Sequence, residues 1–288
     1  MTDRRELYRK RRASRRSKKP SRQAAYVLKV LAVFVVAFAA LCSYIKAVDK
    51  PSAGIGTPSE ELRKVEIPEE TPEIMVDYEG FTVSFNPARH VPNYVVWELT
   101  AEKAGGSIRR KSSFQADGDV YGCPSLDDYR NSGFDRGHMA PAGDMKWSAE
   151  AMAHSHYLTN ICPQDHSLNG GVWASLENKC REWAKRDSAL VIVCGPVLSD
   201  RITRTIGRSE VAVPERFFKV VLAPYANPPR AIGFIMANGH VEGGMQAAAV
   251  SVDEVETITG FDFFKAVPDE IEDKIESEAN FNRWQRLD

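Results

Sequence analysis

The sequence has no CxxC pair among its five cysteines, which argues against a cysteine-based zinc site. It has no internal repeat, and it has no excess of positive charge, since the net charge is −1 at pH 7. The charge is divided unevenly. Residues 1–25 carry 11 Lys and Arg against 2 Asp and Glu, whereas the remainder carries 27 basic and 37 acidic residues. A general attraction for nucleic acid is therefore excluded, and a binder built on this domain needs a local basic patch.

The basic residues at the start of the chain precede a long uncharged run. Residues 30–45 contain no charged side chain, and the run extends back to Ala24 with only Lys29 interrupting it. A bilayer is spanned by about 20 apolar residues. We predict a basic cytoplasmic tail over residues 1–23, a transmembrane signal anchor over 24–46 and an extracytoplasmic location, periplasmic or extracellular, for the rest. A cleaved signal peptide and a buried helix of the soluble domain remain alternatives.

The segment after the apolar run has the composition of a linker. Residues 47–74 hold four prolines among Ser, Glu and Gly, which leaves residues 75–288 as the folded domain. That domain contains Cys123, Cys162, Cys180 and Cys194. An even number of cysteines in an oxidising compartment permits two disulfides in any of three pairings. The apolar patterns around two of them, Cys180 and Cys194, suit buried free thiols equally well.

The hydrophobic pattern of residues 75–288 predicts an α+β fold. Strands are expected at 81–85, 93–100, 189–197, 216–224 and 230–238. Helices are expected at 148–158 with Ser148 as N-cap, at 170–186, and at 251–260 with a capping box of Ser251 and Glu254. These elements do not alternate in βαβ order. We therefore expect a mixed, mainly antiparallel sheet flanked by helices.

The stretch FDRGHMAPAGDM, residues 134–145, sets an anion, a cation and an imidazole side by side. Phosphodiester hydrolysis needs a base for the attacking water, and histidine titrates nearest pH 7. It also needs positive charge against the phosphate, from arginine or from a hard cation such as Mg²⁺ with oxygen ligands. His138 as base, Asn169 as metal ligand, Glu177 holding the waters of the metal, and Arg110 and Arg136 as phosphate cations fill these roles.

The spacing of two of these residues places them near one pocket. On a helix that begins near residue 170, Asn169 and Glu177 lie two turns apart and about 80° apart around the axis. Three other histidines, His154, His156 and His166, match no common zinc spacing and are expected to pack or to lie on the surface. Trp173 and Trp183 are able to stack on bases, although helical spacing favours a core position for Trp183.

Three motifs carry a resemblance to a known family. The runs DRGHMAP (135–141), LTNICPQDHSLNGGVWASLE (158–177) and VCGPVL (193–198) resemble the DNA/RNA non-specific endonuclease family over roughly residues 76–265. The resemblance implies a ββα-metal fold, one Mg²⁺ (or Mn²⁺), and hydrolysis of DNA and RNA to 5′-phosphorylated ends. It assigns the base to His138, the metal asparagine to Asn169 and the glutamate to Glu177.

The same resemblance assigns two arginines and a second asparagine. The DRGH arginine of the family is Arg136, and its upstream arginine is Arg110, with neighbouring Arg109 as the alternative; Asn160 matches an asparagine near the site. The expected function is therefore a membrane-anchored, metal-dependent endonuclease without strong sequence specificity, with DNA and RNA as partners. Two alternatives stay open: a membrane-anchored nucleic-acid-binding or uptake protein with little catalysis, and a phosphodiesterase for small nucleotides.

Overall fold

A computed structural model describes residues 55–109, 113–199, 201 and 203–285. Its strands are β1 (Val65–Glu66), β2 (Ile74–Tyr78), β3 (Phe81–Asn86), β4 (Val91–Thr100), β5 (Asp135–His138), β6 (Ile161–Gln164), β7 (Ala189–Val197), β8 (Thr205–Ile206), β9 (Val211–Ala212), β10 (Arg216–Ala223), β11 (Arg230–Ala237), β12 (Ala249–Val250) and β13 (Asp262–Phe263). Its α-helices are α1 (Ser59–Leu62), α2 (Ala101–Ala104), α3 (Leu126–Tyr129), α4 (Ala149–His154), α5 (Ala174–Asp187), α6 (Gly244–Ala248), α7 (Val252–Thr259), α8 (Asp269–Glu276) and α9 (Phe281–Gln285).

Seven strands form one sheet in the order β12-β11-β10-β7-β4-β3-β2, and every neighbouring pair is antiparallel. The predicted α+β class with a mainly antiparallel sheet is therefore confirmed. The strands expected from the sequence at 81–85, 93–100, 189–197, 216–224 and 230–238 correspond to β3, β4, β7, β10 and β11.

The central strand β7 is buried on both of its faces, which explains its unbroken apolar sequence. Because side chains alternate along a strand, Leu190, Ile192 and Cys194 enter the first core of the molecule. Val191 and Val193 enter the second core on the opposite face of the sheet. Sheet faces that are both covered favour continuous hydrophobic runs over alternation.

Helix α5 covers the first face of the sheet. Its buried side chains are Leu176, Cys180, Trp183, Ala184 and Asp187. The helix nevertheless begins at Ala174 and not at residue 170, because a π-helical turn over Leu168–Trp173 breaks at Gly171, where φ is −105° and ψ is −114°. The regular helix geometry predicted for Asn169 and Glu177 is therefore wrong, since only Glu177 lies on α5.

Part of the predicted linker packs onto the domain. Residues 59–62 form α1, and β1 pairs with β13 at the Val65–Phe263 position. Ile55 and Leu62 are fully buried in the second core. The second half of segment 47–74 therefore belongs to the fold, because its few apolar side chains reach the core between the prolines.

The predicted basic tail and membrane anchor, residues 1–23 and 24–46, lie outside the described residues. Within the part of the chain that the structure describes, no helix is long and apolar enough to cross a membrane. The four cysteines of the domain are free thiols, and three of them are buried. The structure therefore has free thiols and not the two disulfides that the even number of cysteines permits.

Asp128 fastens the hairpin of β8 and β9 to the short helix α3. Its carboxylate accepts hydrogen bonds from the backbone N–H and hydroxyl of Ser125 at 2.8 Å and from the same two groups of Ser209 at 3.0 Å. Burial by itself raises the pKa of Asp128, but these hydrogen bonds outweigh it and lower the pKa to about 2.

We predict that Asp128→Asn lowers the free energy of unfolding by about 2 kcal/mol at pH 7, since hydrogen bonds to a charged group are the stronger ones. A depressed carboxyl pKa stabilises the fold above the unfolded value, near 4, and this contribution is lost as the pH falls through about 2. Urea unfolding at several pH values measures the effect. The difference between Asp128→Asn and wild type should shrink on acidification, while the exposed control Asp127→Asn shows little change at any pH; a pH-independent difference contradicts the assignment.

Candidate active site

The hairpin of β5 and β6 carries the DRGH motif. Its two strands pair so that His138 lies opposite Ile161 and Gly137 opposite Cys162. Glycine is required at position 137, because a Cβ there overlaps the side chain of Gln164. The chain after the motif is held by Asn160, whose amide accepts from the Ala140 N–H and donates to the Ala140 carbonyl, both at 2.9 Å.

A cavity of about 460 Å³ opens beside this hairpin. Four of the five residues predicted for the site, His138, Arg136, Asn169 and Glu177, line this one cavity. The other lining residues are Phe114, Tyr129, Phe134, Asp135, Pro141, Ala142, Gly143 and Ala174. The fifth predicted residue, Arg110, lies outside the described residues, and its alternative Arg109 is exposed.

The ring of His138 is half-buried among aromatic groups. Its centroid lies 5.1 Å from that of Phe114 and 5.1 Å from that of His156, which meets it edge-on at 87°. His156 is fully buried and its Nδ1 lies 2.8 Å from the carbonyl oxygen of Met152. The backbone carbonyl of His138 accepts a hydrogen bond from Trp173 Nε1 at 3.3 Å. These contacts restrict the position and the plane of the imidazole.

Asp135 fixes the amide of Asn169. Its Oδ2 accepts a hydrogen bond from Asn169 Nδ2 at 2.9 Å and lies 2.8 Å from Nδ1 of the exposed His166. The backbone N–H of Asn169 donates to the Asp165 carbonyl at 2.9 Å. Because the amide nitrogen of Asn169 is engaged by a carboxylate, the amide oxygen is the atom that remains for a cation.

Glu177 stands at the start of α5 above a group of buried charges. Burial raises the pKa of Glu177 to about 7. The charge of Asp144 also raises this pKa, whereas the charges of Lys219 and Arg181 lower it. Asp144 is fully buried and accepts hydrogen bonds from Arg181 at 2.6 Å and from Trp97 Nε1 at 3.1 Å. A cation in the cavity favours the ionised form of Glu177.

Lys219 supplies the deepest positive charge of this group. It is 1% exposed, and its Nζ lies 5.3 Å from the ring centroid of Trp97 and 4.4 Å from that of Trp173. The thiols and carboxylates around Lys219 keep its pKa above the ordinary value, although burial opposes this. Lys219 therefore places a buried ammonium against two indole rings, from where it acts on Glu177 and Asp144.

Arg136 is exposed at the mouth of the cavity. Its guanidinium lies 4.7 Å above the ring of Phe114, which is a cation–π geometry. The buried carboxylate of Asp144 binds Arg181 and not Arg136. A stacked guanidinium keeps its N–H donors directed outward, where an anion is able to approach.

Three neighbours of the site carry no signal of their own in the sequence: Asp135, Phe114 and His156. Asp135 lies inside the DRGH motif, but nothing in the spacing indicates that it binds an amide 34 residues later. Phe114 and His156 come from separate segments and meet only in the fold, where their centroids are 5.2 Å apart. Of the other histidines, His154 packs on Tyr78 and His166 binds Asp135.

A histidine, a carboxamide and a carboxylate around one polar cavity, with an arginine at its mouth, are the groups that phosphodiester hydrolysis requires. The chain belongs to the DNA/RNA non-specific endonuclease family, whose sequence model matches residues 58–270.

Individual nucleases resemble the chain over the same region. The mitochondrial nuclease EXOG of Danio rerio is 35% identical over 210 residues, 66% of this chain and 60% of the relative. EXOG of Homo sapiens is 34% identical, covering 65% of this chain and 56% of its own length. The mitochondrial nuclease of Saccharomyces cerevisiae is 35% identical over 66% of this chain and 65% of its own length.

A solved structure agrees with the fold. A chain in the crystal structure of the EndoG/EndoGI complex superposes with a TM-score of 0.63 and 27% identity, covering 67% of this chain and 86% of that one. The match thus spans most of that chain, but only 56–60% of the length of the EXOG relatives.

The predicted location is wrong. EXOG and the yeast relative are mitochondrial nucleases, which contradicts a membrane-anchored, extracytoplasmic location. A membrane-anchored, extracytoplasmic nuclease was expected from the basic residues 1–23 and the apolar segment 24–46. The hydrophobicity of a segment measures its preference for a membrane over water, but it does not identify the cellular compartment of the protein.

Proposed function

We propose that this chain is a metal-dependent endonuclease that hydrolyses phosphodiester bonds in DNA and RNA without strong sequence specificity. The observation that carries the proposal is the presence of His138 and Asn169 on one cavity, although they come from different elements. Family membership supports the class of reaction, and the relatives named above are nucleases.

His138 acts as the general base. It accepts a proton from a water molecule whose oxygen attacks phosphorus. The bond from phosphorus to the 3′-oxygen breaks, which leaves a 5′-phosphate, and the 3′-oxygen takes a proton from solvent to become a hydroxyl. The aromatic contacts to Phe114 and His156 hold the ring in one orientation, so little conformational entropy is lost when substrate binds. Arg136, and Arg110 by the resemblance, bind the phosphate oxygens.

The cavity fits a hard divalent cation, Mg²⁺ or Mn²⁺. The donor set is an amide oxygen of Asn169, oriented by Asp135, and a nearby carboxylate, Glu177, both oxygen groups that Mg²⁺ prefers while it keeps several waters. When bound, such an ion supplies positive charge against the phosphate in the transition state. Asn169 would hold the ion, and Glu177 would accept hydrogen bonds from water molecules bound to the ion.

The proposal is tested by incubating the purified protein with supercoiled plasmid and with a long RNA, in Mg²⁺ and in EDTA. We expect relaxed and linear plasmid followed by smearing, and RNA degradation, only when metal is present. A mobility shift without cleavage in Mg²⁺ supports the alternative, a nucleic-acid-binding protein with little catalysis. Much faster cleavage of a chromogenic diester than of plasmid indicates a small-nucleotide phosphodiesterase instead.

Asp135→Ala should raise the Mg²⁺ concentration for half-maximal cleavage by about 10-fold or more. Loss of a group that orients a metal ligand typically lowers affinity or activity 10–100-fold, and alanine removes the acceptor for Asn169 Nδ2. The exposed Asp119→Ala is the matched control and should keep the wild-type value. An unchanged metal requirement for Asp135→Ala shows that Asp135 does not position the ligand.

A further inference from the structure

Three carboxylates meet on the opposite face of the sheet from the cavity. Asp253 and Glu256 lie on α7, and Glu276 ends α8; one ligand oxygen of each lies within 4.8 Å of the others. Residues three apart share a face of a helix, so Asp253 and Glu256 point in the same direction. Val252, Val255 and Ile275, which flank them in sequence, belong to the second core, whereas the catalytic hairpin packs on the first.

Glu276 is the unusual member of this cluster. It is 5% exposed, and its Oε1 is shielded from solvent and makes no hydrogen bond within the part of the chain that the structure describes. A buried polar oxygen without a partner is destabilising, and a native fold ordinarily provides one. Glu276 thus places a carboxylate oxygen in the cluster, and its Oε1 has no partner within the described chain.

The charges that act on Glu276 are of its own sign. They come from Glu256, Glu272, Asp253 and Asp262, and together with burial, the largest cause, they raise the pKa of Glu276 to about 9. Lys265, which faces Asp262 at 4.0 Å, is engaged by Glu66 at 2.6 Å. Protonation removes the charge of Glu276 but gives no partner to Oε1.

A cation removes both difficulties at once. Its charge offsets the repulsion among the three carboxylates, and it coordinates the shielded oxygen. The end of α8 contributes further, because the C-terminus of a helix carries partial negative charge. Glu256 is already oriented, as its Oε1 accepts the Phe263 N–H at 2.8 Å. Asp253 is exposed, so water is able to complete the coordination.

We propose that Asp253, Glu256 and Glu276 bind Ca²⁺ at a structural site that is separate from the catalytic cavity. Calcium takes six to eight oxygen ligands at about 2.3–2.6 Å, so two oxygens on one ion are at most about 5 Å apart. The separation of the three carboxylates lies within this limit. The ion joins α7 to α8 and stabilises the packing of both helices on the second core.

The test is thermal unfolding of the full chain after EDTA treatment, with and without Ca²⁺. It is carried out in the Asn169→Ala background so that the catalytic cavity does not contribute. At a Ca²⁺ concentration 100 times Kd we expect Tm to rise by about 5 °C or more. Isothermal titration should give one Ca²⁺ per chain.

Glu276→Gln is the decisive variant, since it keeps the shape of the side chain and removes the charge. It should abolish the Ca²⁺-dependent rise in Tm, and its Tm without Ca²⁺ should equal or exceed that of the parent. The exposed Glu69→Gln is the matched control and should retain the full rise. If Glu276→Gln does not fold, Asp253→Asn at the exposed ligand provides the same test and should weaken Ca²⁺ binding at least about 10-fold.

Three results overturn the proposal. The first is no change in Tm up to roughly 10 mM Ca²⁺, which exceeds the Kd of weak protein sites. The second is an equal rise in Tm for Glu276→Gln and its parent. The third is an equal rise when NaCl of the same ionic strength replaces Ca²⁺, which indicates screening and not binding. The test measures no cleavage, so it is independent of the nuclease activity.

Discussion

His138→Ala is expected to lower the rate of plasmid cleavage at least about 100-fold at saturating Mg²⁺, the lower end of what a general base contributes. The imidazole is the group of the cavity whose ordinary pKa allows it to accept a proton near neutral pH. Alanine removes it without adding bulk beside Phe114 and His156. Initial rates of conversion of supercoiled to relaxed plasmid measure the effect.

The matched control for this prediction is His240→Ala, because His240 is exposed and belongs to no part of the site. It should cleave at the wild-type rate. The His138→Ala protein should still bind nucleic acid in a mobility-shift assay, since the arginines remain. Near-normal cleavage by pure His138→Ala protein contradicts the assignment of the base.

Local patterns were sufficient for much of the fold. The apolar run of β7 predicts a strand buried on both faces, and the structure places its side chains alternately in the two cores. Ser251 caps α7 by accepting the Glu254 N–H at 3.1 Å, and Gly260 ends it in the left-handed region at φ 73°. Each of these features depends on neighbours within a few residues, which is why the sequence reveals them.

The arrangement of the site depends on contacts between distant segments. The sequence predicts a helix from residue 170, but the break at Gly171 separates Asn169 from the axis that carries Glu177. Asp135 holds Asn169 across 34 positions. Residue pairs brought together only by the tertiary fold leave no periodicity in the sequence, so motifs identify the reacting groups but not the groups that hold them.

Lys219 shows the same limit inside a strand. Side chains alternate along β10, so Lys219 lies on the same face as Phe217 and Val221 of the first core, where a lysine is unusual. The structure supplies its compensation from other elements: Asp144, Glu177 and two tryptophan rings. Buried charges are retained when paired, and the partners become visible only in three dimensions.

Asn169→Ala should raise the Mg²⁺ concentration for half-maximal cleavage at least about 100-fold, beyond the 10–100-fold typical for loss of an orienting group. The substitution removes the amide oxygen that Asp135 orients and leaves His138 in place. A Mg²⁺ titration of the plasmid rate, repeated with Mn²⁺, measures the shift. The exposed Asn282→Ala is the control and should titrate as wild type. A slower rate with an unchanged Mg²⁺ requirement excludes Asn169 as the ligand and reassigns it to substrate binding. If Asn169 coordinates the ion directly, Asn169→Ala should raise the Mg²⁺ requirement more than Asp135→Ala does.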